Sequence, residues 1–365
     1  MSRYLFMISH PAHFHMFKQT IRNLQEKGHE VTVVIRPKDV LEQLCIDYGM
    51  NFFKTKDRPK RFGMFGLALS LIGKTIEVMK IVNQTKPDLL IGSDGVLAYV
   101  GFMKGIPSFE CFEDDARAIK LYSIMFFPIY KHLVAPDKCD AWFWNYKKTG
   151  YKSYHELGYL HPNQFTPDRK VVEKYFSAND TYFIIRFARL TAHHDVGIQG
   201  ITTEIADKII KILSPHGKVY ITSERELEPQ FEQYRMKISP LDMHHIMSFA
   251  SMYIGDSQTM AAEAGVLGTP FVRFNDFVGR LSYLNEIEDY YKLGYGHKTN
   301  DVDGFFDSIN KWLKMPDRKE ICKERQLKLF SDKIDYAKFL TWFIEAYPAS
   351  PGIMKENPEF QEKFR

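Results

Sequence analysis

Residues 252–274, Met-Tyr-Ile-Gly-Asp-Ser-Gln-Thr-Met-Ala-Ala-Glu-Ala-Gly-Val-Leu-Gly-Thr-Pro-Phe-Val-Arg-Phe, leave few architectures open. Two short apolar runs, Met252 to Ile254 and Phe271 to Phe274, flank an Ala-rich segment that stops at Gly268 and Pro270. That is the punctuation of strand, polar turn, helix, helix stop and next strand, half of a parallel α/β unit. The turn from Asp256 to Thr259 puts hydroxyls and unpaired N–H groups at a helix N-terminus, where the positive end of the dipole suits a phosphate. Ser257, Gln258, Thr259 and Met260 are therefore candidate contacts for a phosphate-bearing ligand. Glu263, about one turn further in, could reach sugar hydroxyls, and a carboxylate in so small and apolar a helix needs a partner. The competing reading is that Ser257 or Thr259 only caps the helix.

The same alternation runs through both halves of the chain. The pattern predicts strands at Tyr4 to Ile8, Glu30 to Ile35, Asn51 to Lys54, Asp88 to Gly92, Pro107 to Cys111 and Leu133 to Ala135, the last closing the first half. It restarts at Thr181 to Phe187 and Lys218 to Thr222 before reaching the stretch above. A chain of 365 residues suits two domains. The aperiodic Gly-, Pro- and Tyr-containing segment from Tyr151 to Asp168 marks the connection. We expect an N-terminal Rossmann-like domain over 1–165, a C-terminal one over 166–350 that includes the last helices, and a loosely held polar tail over 351–365. Two such units would hold a ligand where the carboxyl ends of their strands face each other. Neither opening strand is followed by Gly-x-Gly-x-x-Gly, which argues against a dehydrogenase, and no Walker phosphate loop occurs.

A formal net charge of +4 gives no footprint for nucleic acid. Cys45, Cys111, Cys139 and Cys322 lie far apart without metal-ligand spacing, as free thiols of a reducing compartment do. The opening apolar run stops at His10-Pro11, too short for a signal peptide, and no stretch reaches the length that spans a bilayer. These features predict a cytoplasmic protein. Lys60-Arg61, followed by an aromatic and apolar run to Ile72, suggests peripheral contact with the inner face of a membrane, where a lipid-linked acceptor would be found. Covering of that helix by the sheet is the alternative.

The chemistry-bearing residues gather at predicted strand ends. His10, His13 and His15 follow the first strand, and His13 is the preferred general base for an acceptor hydroxyl. With no acid beside them in sequence, metal is not expected and no cofactor is implied. Asp94 ends one strand and Glu113, Asp114 and Asp115 follow the next, so mutual repulsion could raise a carboxyl pKa. Asp115 reads as a helix cap, whereas Asp94 and Glu113 are candidate catalytic groups. Arg186 and Arg189 bracket the end of the first strand of the second half, where guanidinium groups can neutralise a diphosphate. An Arg within Phe183-Ile-Ile-Arg-Phe needs either a ligand or a buried acid, and phosphate is the first choice. Ser223, before Glu224 and Arg225, would wall the same site.

Several segments together carry a family resemblance: Ser9-His-Pro-Ala-His-Phe-His-Met-Phe, Lys86-Pro-Asp, His155-Glu-Leu-Gly-Tyr-Leu, Arg186-Phe-Ala-Arg-Leu-Thr-Ala-His, and Gly255 to Pro270. From residue 1 to roughly residue 300 the chain resembles the prokaryotic family called domain of unknown function 354, which is similar to GT-B glycosyltransferases and UDP-N-acetylglucosamine 2-epimerases. The resemblance implies an α/β, GT-B-like fold of two facing Rossmann-like domains with a C-terminal helix, and a nucleotide-sugar ligand. It also implies a proton-handling role for His193, which follows the strand ending at Arg186 as a histidine does in the 2-epimerases. Family members usually carry Gly-Gly where this chain has Ser257-Gln258. The leading expectation is a glycosyltransferase of cell-surface polysaccharide or glycolipid synthesis, with a nucleoside-diphosphate sugar donor and a glycan or lipid-linked acceptor. The alternatives are a 2-epimerase using Asp94, Glu113 and His193, and a non-catalytic nucleotide-sugar-binding partner protein.

Overall fold

The structure is a computed structural model that describes residues 1–37, 40–56, 63–177, 179–188 and 200–365, with the side chains of 63–65 and 67 outside the description. Two compact units result, one of Met1–Gln164 with Ile334–Arg365, the other of Phe165–Lys333.

The first unit is built on seven parallel strands: β1 (Arg3–Ile8), β2 (Glu30–Ile35), β3 (Phe53–Lys54), β4 (Leu89–Gly92), β5 (Ser108–Cys111), β6 (His132–Pro136) and β7 (Lys148–Tyr151). Their order in the sheet is β3-β2-β1-β4-β5-β6-β7. Strand β1 is the pivot, pairing with β2 on one side and with β4 on the other. Its residues Leu5, Phe6, Met7 and Ile8 are fully buried, as a parallel strand covered by helices on both faces requires. Helices Pro11–Glu26, Leu41–Asp47, Gly63–Thr85, Val96–Lys104 and Lys120–Phe126 make the crossovers between β1 and β6. Gly28, at φ +83°, turns the chain out of the first helix in the left-handed conformation that glycine takes without strain. Strand β6 is not the last of this half: β7, Lys-Thr-Gly-Tyr, follows it and has too little apolar character to stand out in sequence.

The second unit has five parallel strands, β8 (Tyr182–Phe187), β9 (Lys218–Ser223), β10 (Met252–Gly255), β11 (Phe271–Phe274) and β12 (Gly294–His297), in the order β12-β11-β10-β8-β9. Strand β10 is central and fully buried, flanked by β11 and β8. The short final strand, Gly-Tyr-Gly-His, is again one that composition hides.

Two expectations for the C-terminus are corrected. The helix Tyr336–Glu345 belongs to the first unit, not the second. Phe343 meets Phe109 of β5 at 5.4 Å, Tyr336 stacks on Tyr151 of β7 at 4.6 Å, and Thr341 Oγ1 accepts from Asn23 Nδ2 at 3.3 Å. An amphipathic helix needs an apolar surface to cover, and adjacency in sequence does not say whose. The tail, too, is held. It folds into a helix, Ser350–Glu356, and a 3-10 segment, Pro358–Phe364, that bury Met354 and Phe364. The Gln361 side chain accepts from the backbone N–H of Lys152 at 2.7 Å. The four cysteines are buried free thiols.

Candidate functional site

In an open parallel sheet, ligands bind beyond the carboxyl ends of the strands where the order reverses direction, because the loops there part and leave a crevice. In the first sheet that point lies between β1 and β4, and in the second between β8 and β10. The residues at or just past the ends of these strands are Ser9 to His13 with Ser93 and Asp94 in one unit, and Arg186 to Ala188 with Asp256 and Ser257 in the other.

Across the first reversal, Ser9 Oγ donates to Asp94 Oδ2 at 2.5 Å. The same oxygen lies 3.4 Å from Lys74 Nζ, and Val96 N–H donates to Oδ1 at 3.1 Å. Burial opposes ionisation of Asp94, but Lys74 and these donors outweigh it and hold the carboxyl below its usual range. Asp94 is thus a fixed anion. One strand over, Glu110 faces Gly92 in the register and is 1% exposed. Burial drives its pKa up to about 8, with the negative charge of Asp94 adding to the rise and the hydroxyls of Tyr130 and Tyr122 opposing it. Tyr122 Oη donates to Glu110 Oε1 at 2.9 Å, and Tyr130 Oη to the Asp94 carbonyl at 2.7 Å. At neutral pH the first sheet therefore sets an ionised carboxylate near a protonated one.

Further along the same edge, Glu113 Oε1 accepts from the His155 N–H at 2.9 Å, and its Oε2 is 3.5 Å from His155 Nδ1. Burial first, then repulsion from Glu156, raises Glu113 well above the carboxylate range. Burial, with the neighbouring His13 adding to it, lowers His155 to about 3, so its ring is neutral. His10 caps the helix Pro11–Glu26, its Nδ1 accepting from Ala12 N–H at 3.2 Å, and its ring is 6.0 Å from that of His13. His15 is buried against Tyr159, with ring centroids 5.2 Å apart.

The second reversal is organised differently. Arg186 Nη1 donates to Thr222 Oγ1 at 2.8 Å, and Nη2 pairs with Glu224. Opposite it in the register stands Gly255, where a Cβ would come within 2.9 Å of Arg186 Cβ and 2.4 Å of the Tyr253 hydroxyl, so the close approach requires glycine. Asp256, 1% exposed, accepts from Ala188 N–H at 2.6 Å and Ile201 N–H at 3.1 Å. Burial raises it to about 6 against those bonds. Ser257 caps the helix Gln258–Val266 by accepting from Met260 N–H at 3.4 Å. Gln258 and Thr259 are half-buried in the first turn, and Met260 is buried. Glu263 meets His244 Nε2 at 3.0 Å, both side chains being buried. Ser223 closes its own turn, taking a bond from Arg225 N–H at 3.1 Å and giving one to Arg225 O at 2.7 Å.

Of the residues singled out in sequence, the structure gathers His13 and Glu113 around His155 and ties Asp94 to Ser9. It gives Arg186 a protein acid, Glu224, in the position assigned first to phosphate, and gives Glu263 an internal partner. Arg189 and His193 lie outside the described residues. Sequence reasoning assigned no role in the site to Lys74, Glu110, Tyr122, His155, Glu156 or His244. Lys74 and Glu110 carried a readable signal, each being a lone charge within an apolar run. Among the described residues no cluster of three His, Cys, Asp or Glu side chains is placed to hold a metal ion.

The fold matches solved structures at low sequence identity. The UDP-GlcNAc 2-epimerase of Neisseria meningitidis, bound to UDP-GlcNAc, aligns with a TM-score of 0.62 and 14% identity over 94% of this chain and 99% of that one. The S. aureus MnaA–UDP complex aligns with a TM-score of 0.68 and 11% identity over 96% of this chain and 98% of that one. A Streptomyces sp. SF2575 glycosyltransferase, complexed with thymidine diphosphate, aligns with a TM-score of 0.62 and 13% identity over 94% and 99%. At such identities the likeness establishes the shared architecture, two Rossmann-like domains. A comparison with curated proteins finds no match. The sequence profile of the family described as "Protein of unknown function (DUF354)" matches residues 5–337.

Proposed function

Because the chain belongs to the DUF354 family and has the fold of GT-B glycosyltransferases and nucleotide-sugar epimerases, we propose that it moves a sugar from a nucleoside diphosphate to a hydroxyl acceptor. The observation that carries this reading is the Asp94 anion, fixed by Ser9 and Lys74 at the strand-order reversal of the first unit, in the same group of turns as His13. His13 takes the proton of the acceptor hydroxyl as its oxygen bonds to the anomeric carbon. Asp94, an anion at the same edge, favours the imidazolium that results. The bond from the anomeric carbon to the phosphate oxygen breaks, and the nucleoside diphosphate leaves with the electron pair. Arg186 exchanges Glu224 for that diphosphate, and the N-terminal turn at Ser257, Gln258 and Thr259 adds the positive end of its helix. Ser223, Met260 and Glu263 shape and steady the nucleotide side, and Arg189 adds a second cation.

A second reading, a 2-epimerase, is favoured by the protonated carboxyl of Glu110 near ionised Asp94, with Glu113 further along the same edge. Taking a proton from carbon and returning it on the other face needs one acid of each kind. UDP-sugars incubated with the protein and followed by NMR separate the two. Conversion of the sugar without acceptor selects the epimerase, and donor that binds yet turns over only with acceptor selects the transferase. Failure to bind any nucleoside diphosphate or its sugars would sink both. Glycan and lipid-linked acceptors are the classes to supply.

A further inference from the structure

We propose that the first unit carries a docking face for an anionic lipid bilayer, built from the helices Gly63–Thr85, Val96–Lys104 and Lys120–Phe126 and the 3-10 turn Trp142–Lys147. The inference is independent of the reaction proposed above.

The three helices are the successive crossovers β3 to β4, β4 to β5 and β5 to β6, which advance across the sheet in one direction. Right-handed crossovers of that kind put all three on the same side. Helix Gly63–Thr85 packs on Val96–Lys104, and Tyr99 of the latter meets Phe126 of the third with ring centroids 5.6 Å apart. Val78, Val82, Val96, Leu97, Val100 and Phe126 are buried on the inner side. Yet the outer side is apolar as well. Leu69, Ile72 and Ile76, at helical spacing, are exposed, as are Leu121 and Ile124, and Phe102 is 78% exposed. Helices covering a sheet ordinarily present polar residues to water.

The turn beside them supplies the second observation. Trp142 sits at φ +55°, a conformation costly for a bulky side chain, and the turn is braced to hold it. Asp140 Oδ1 accepts from Trp142 N–H at 2.9 Å and from Asn145 Nδ2 at 2.6 Å, while Asp140 N–H donates to Asp115 Oδ1 at 2.7 Å. The outcome is that Phe143 and Tyr146 stand out, 69% and 78% exposed. The turn adjoins the third helix, since Lys120 Nζ lies 5.7 Å and the Arg117 guanidinium 5.8 Å from the centre of the Trp142 ring.

Charge selects the occupant. Lys80, Lys104 and Lys120 stand exposed on these elements against one acid, Glu77, which accepts from the Lys56 N–H at 3.0 Å, whereas Lys74 is turned to Asp94 and Lys147 to the carbonyls of Phe127, Pro128 and Tyr130. A water-facing surface of aliphatic and aromatic side chains edged by lysine matches the headgroup and upper acyl layer of an anionic membrane, where amphipathic rings and ammonium groups both find partners. Among the described residues no helix is long and apolar enough to cross a membrane, so the contact is with the surface.

The test is co-sedimentation of the full chain with phosphatidylcholine vesicles, with and without phosphatidylglycerol. Binding is expected to the phosphatidylglycerol vesicles and to fall with added salt. Leu121→Ser with Ile124→Ser should lower the vesicle partition coefficient about tenfold or more. Should that pair perturb the fold, Phe143→Ser with Tyr146→Ser, at largely exposed positions, reads the same face. Lys104→Glu and Lys120→Glu should each lower it about fivefold and remove the preference for anionic lipid. The proposal is overturned if the wild-type chain stays in the supernatant with both vesicle types, or if folded variants bind as well as wild type. It is also overturned if sedimentation velocity without lipid shows self-association that the serine variants abolish, which would make this a contact between copies of the chain.

Discussion

The two strand-order reversals solve opposite electrostatic problems. In the first unit, Asp94, Glu110 and Glu113 are carboxyls at one edge, and the structure splits them: Asp94 is held as an anion by Lys74, while burial pushes Glu110 up to about 8 and burial with repulsion from Glu156 raises Glu113. In the second unit the polar groups are taken up by protein partners: Arg186 pairs with Glu224, Glu263 meets His244, and Asp256 is consumed by two backbone N–H groups. The first arrangement has protons to move, and the second has a cation that a stronger anion can capture. The contrast teaches where turnover and where affinity should reside.

The comparison breaks most visibly at Asp94. Asp94→Asn keeps the shape and removes the charge, so turnover should fall by about 10²- to 10⁴-fold with little change in KM, measured with a nucleoside-diphosphate sugar and acceptor. A change in KM alone would reverse the assignment. Glu110 gives the next largest effect, on stability. Its folded pKa of about 8 exceeds the ordinary value of 4.5. The unfolded chain therefore releases this proton first as pH rises, and the folded state loses stability progressively from about pH 4.5 until levelling above pH 8. Glu110→Gln should remove that loss, stabilising by on the order of 3 kcal/mol near neutral pH and not at all below pH 4. Chemical denaturation across pH checks it, and a constant difference at all pH values would show that Glu110 titrates alike in the folded and unfolded chain.

Arg186→Ala should weaken nucleoside-diphosphate binding by about 2 kcal/mol, roughly thirtyfold in Kd, with turnover at saturation less affected. Because the substitution takes the guanidinium away from Glu224, Arg186→Ala with Glu224→Ala should recover fold stability but not affinity, in calorimetric titration with UDP. Equal affinity for wild type and variant would remove the second unit from the nucleotide assignment. The smallest effect is at Ser257. Ser257→Ala deletes the helix cap and should cost about 1 kcal/mol by thermal unfolding. A larger loss of UDP affinity than of stability would give that hydroxyl a ligand.

How much of this was legible depended on whether a residue's surroundings are local. The strand–turn–helix punctuation around Ser257 and the turn at Asp94 could be read because the chain signals its direction changes with Gly, Pro and small polar residues. The helix cap at Ser257 could be foreseen as one of two readings from spacing alone. Lys74 and Glu110 could not be paired with their surroundings, since Lys74 reaches Asp94 from a helix 20 residues upstream in sequence. His155 and Glu156 sit in a segment without period, and only the return of the chain through β7 brings them to Glu113. The final helices misled for the same reason. Their apolar faces were plain, but the surface they cover was laid down more than two hundred residues earlier, at Asn23 and Phe109.

That return has a consequence for how the polypeptide must be made. The middle portion, 165–333, is a self-contained insert and has every strand it needs once it has emerged from the ribosome. The surrounding unit must wait for the last residues to be synthesised, and until then the patch awaiting Phe339, Phe343 and Phe364 is bare. A nascent chain released early would therefore present a finished inner module within an unfinished outer one, and excised residues 165–333 should be the piece that folds alone.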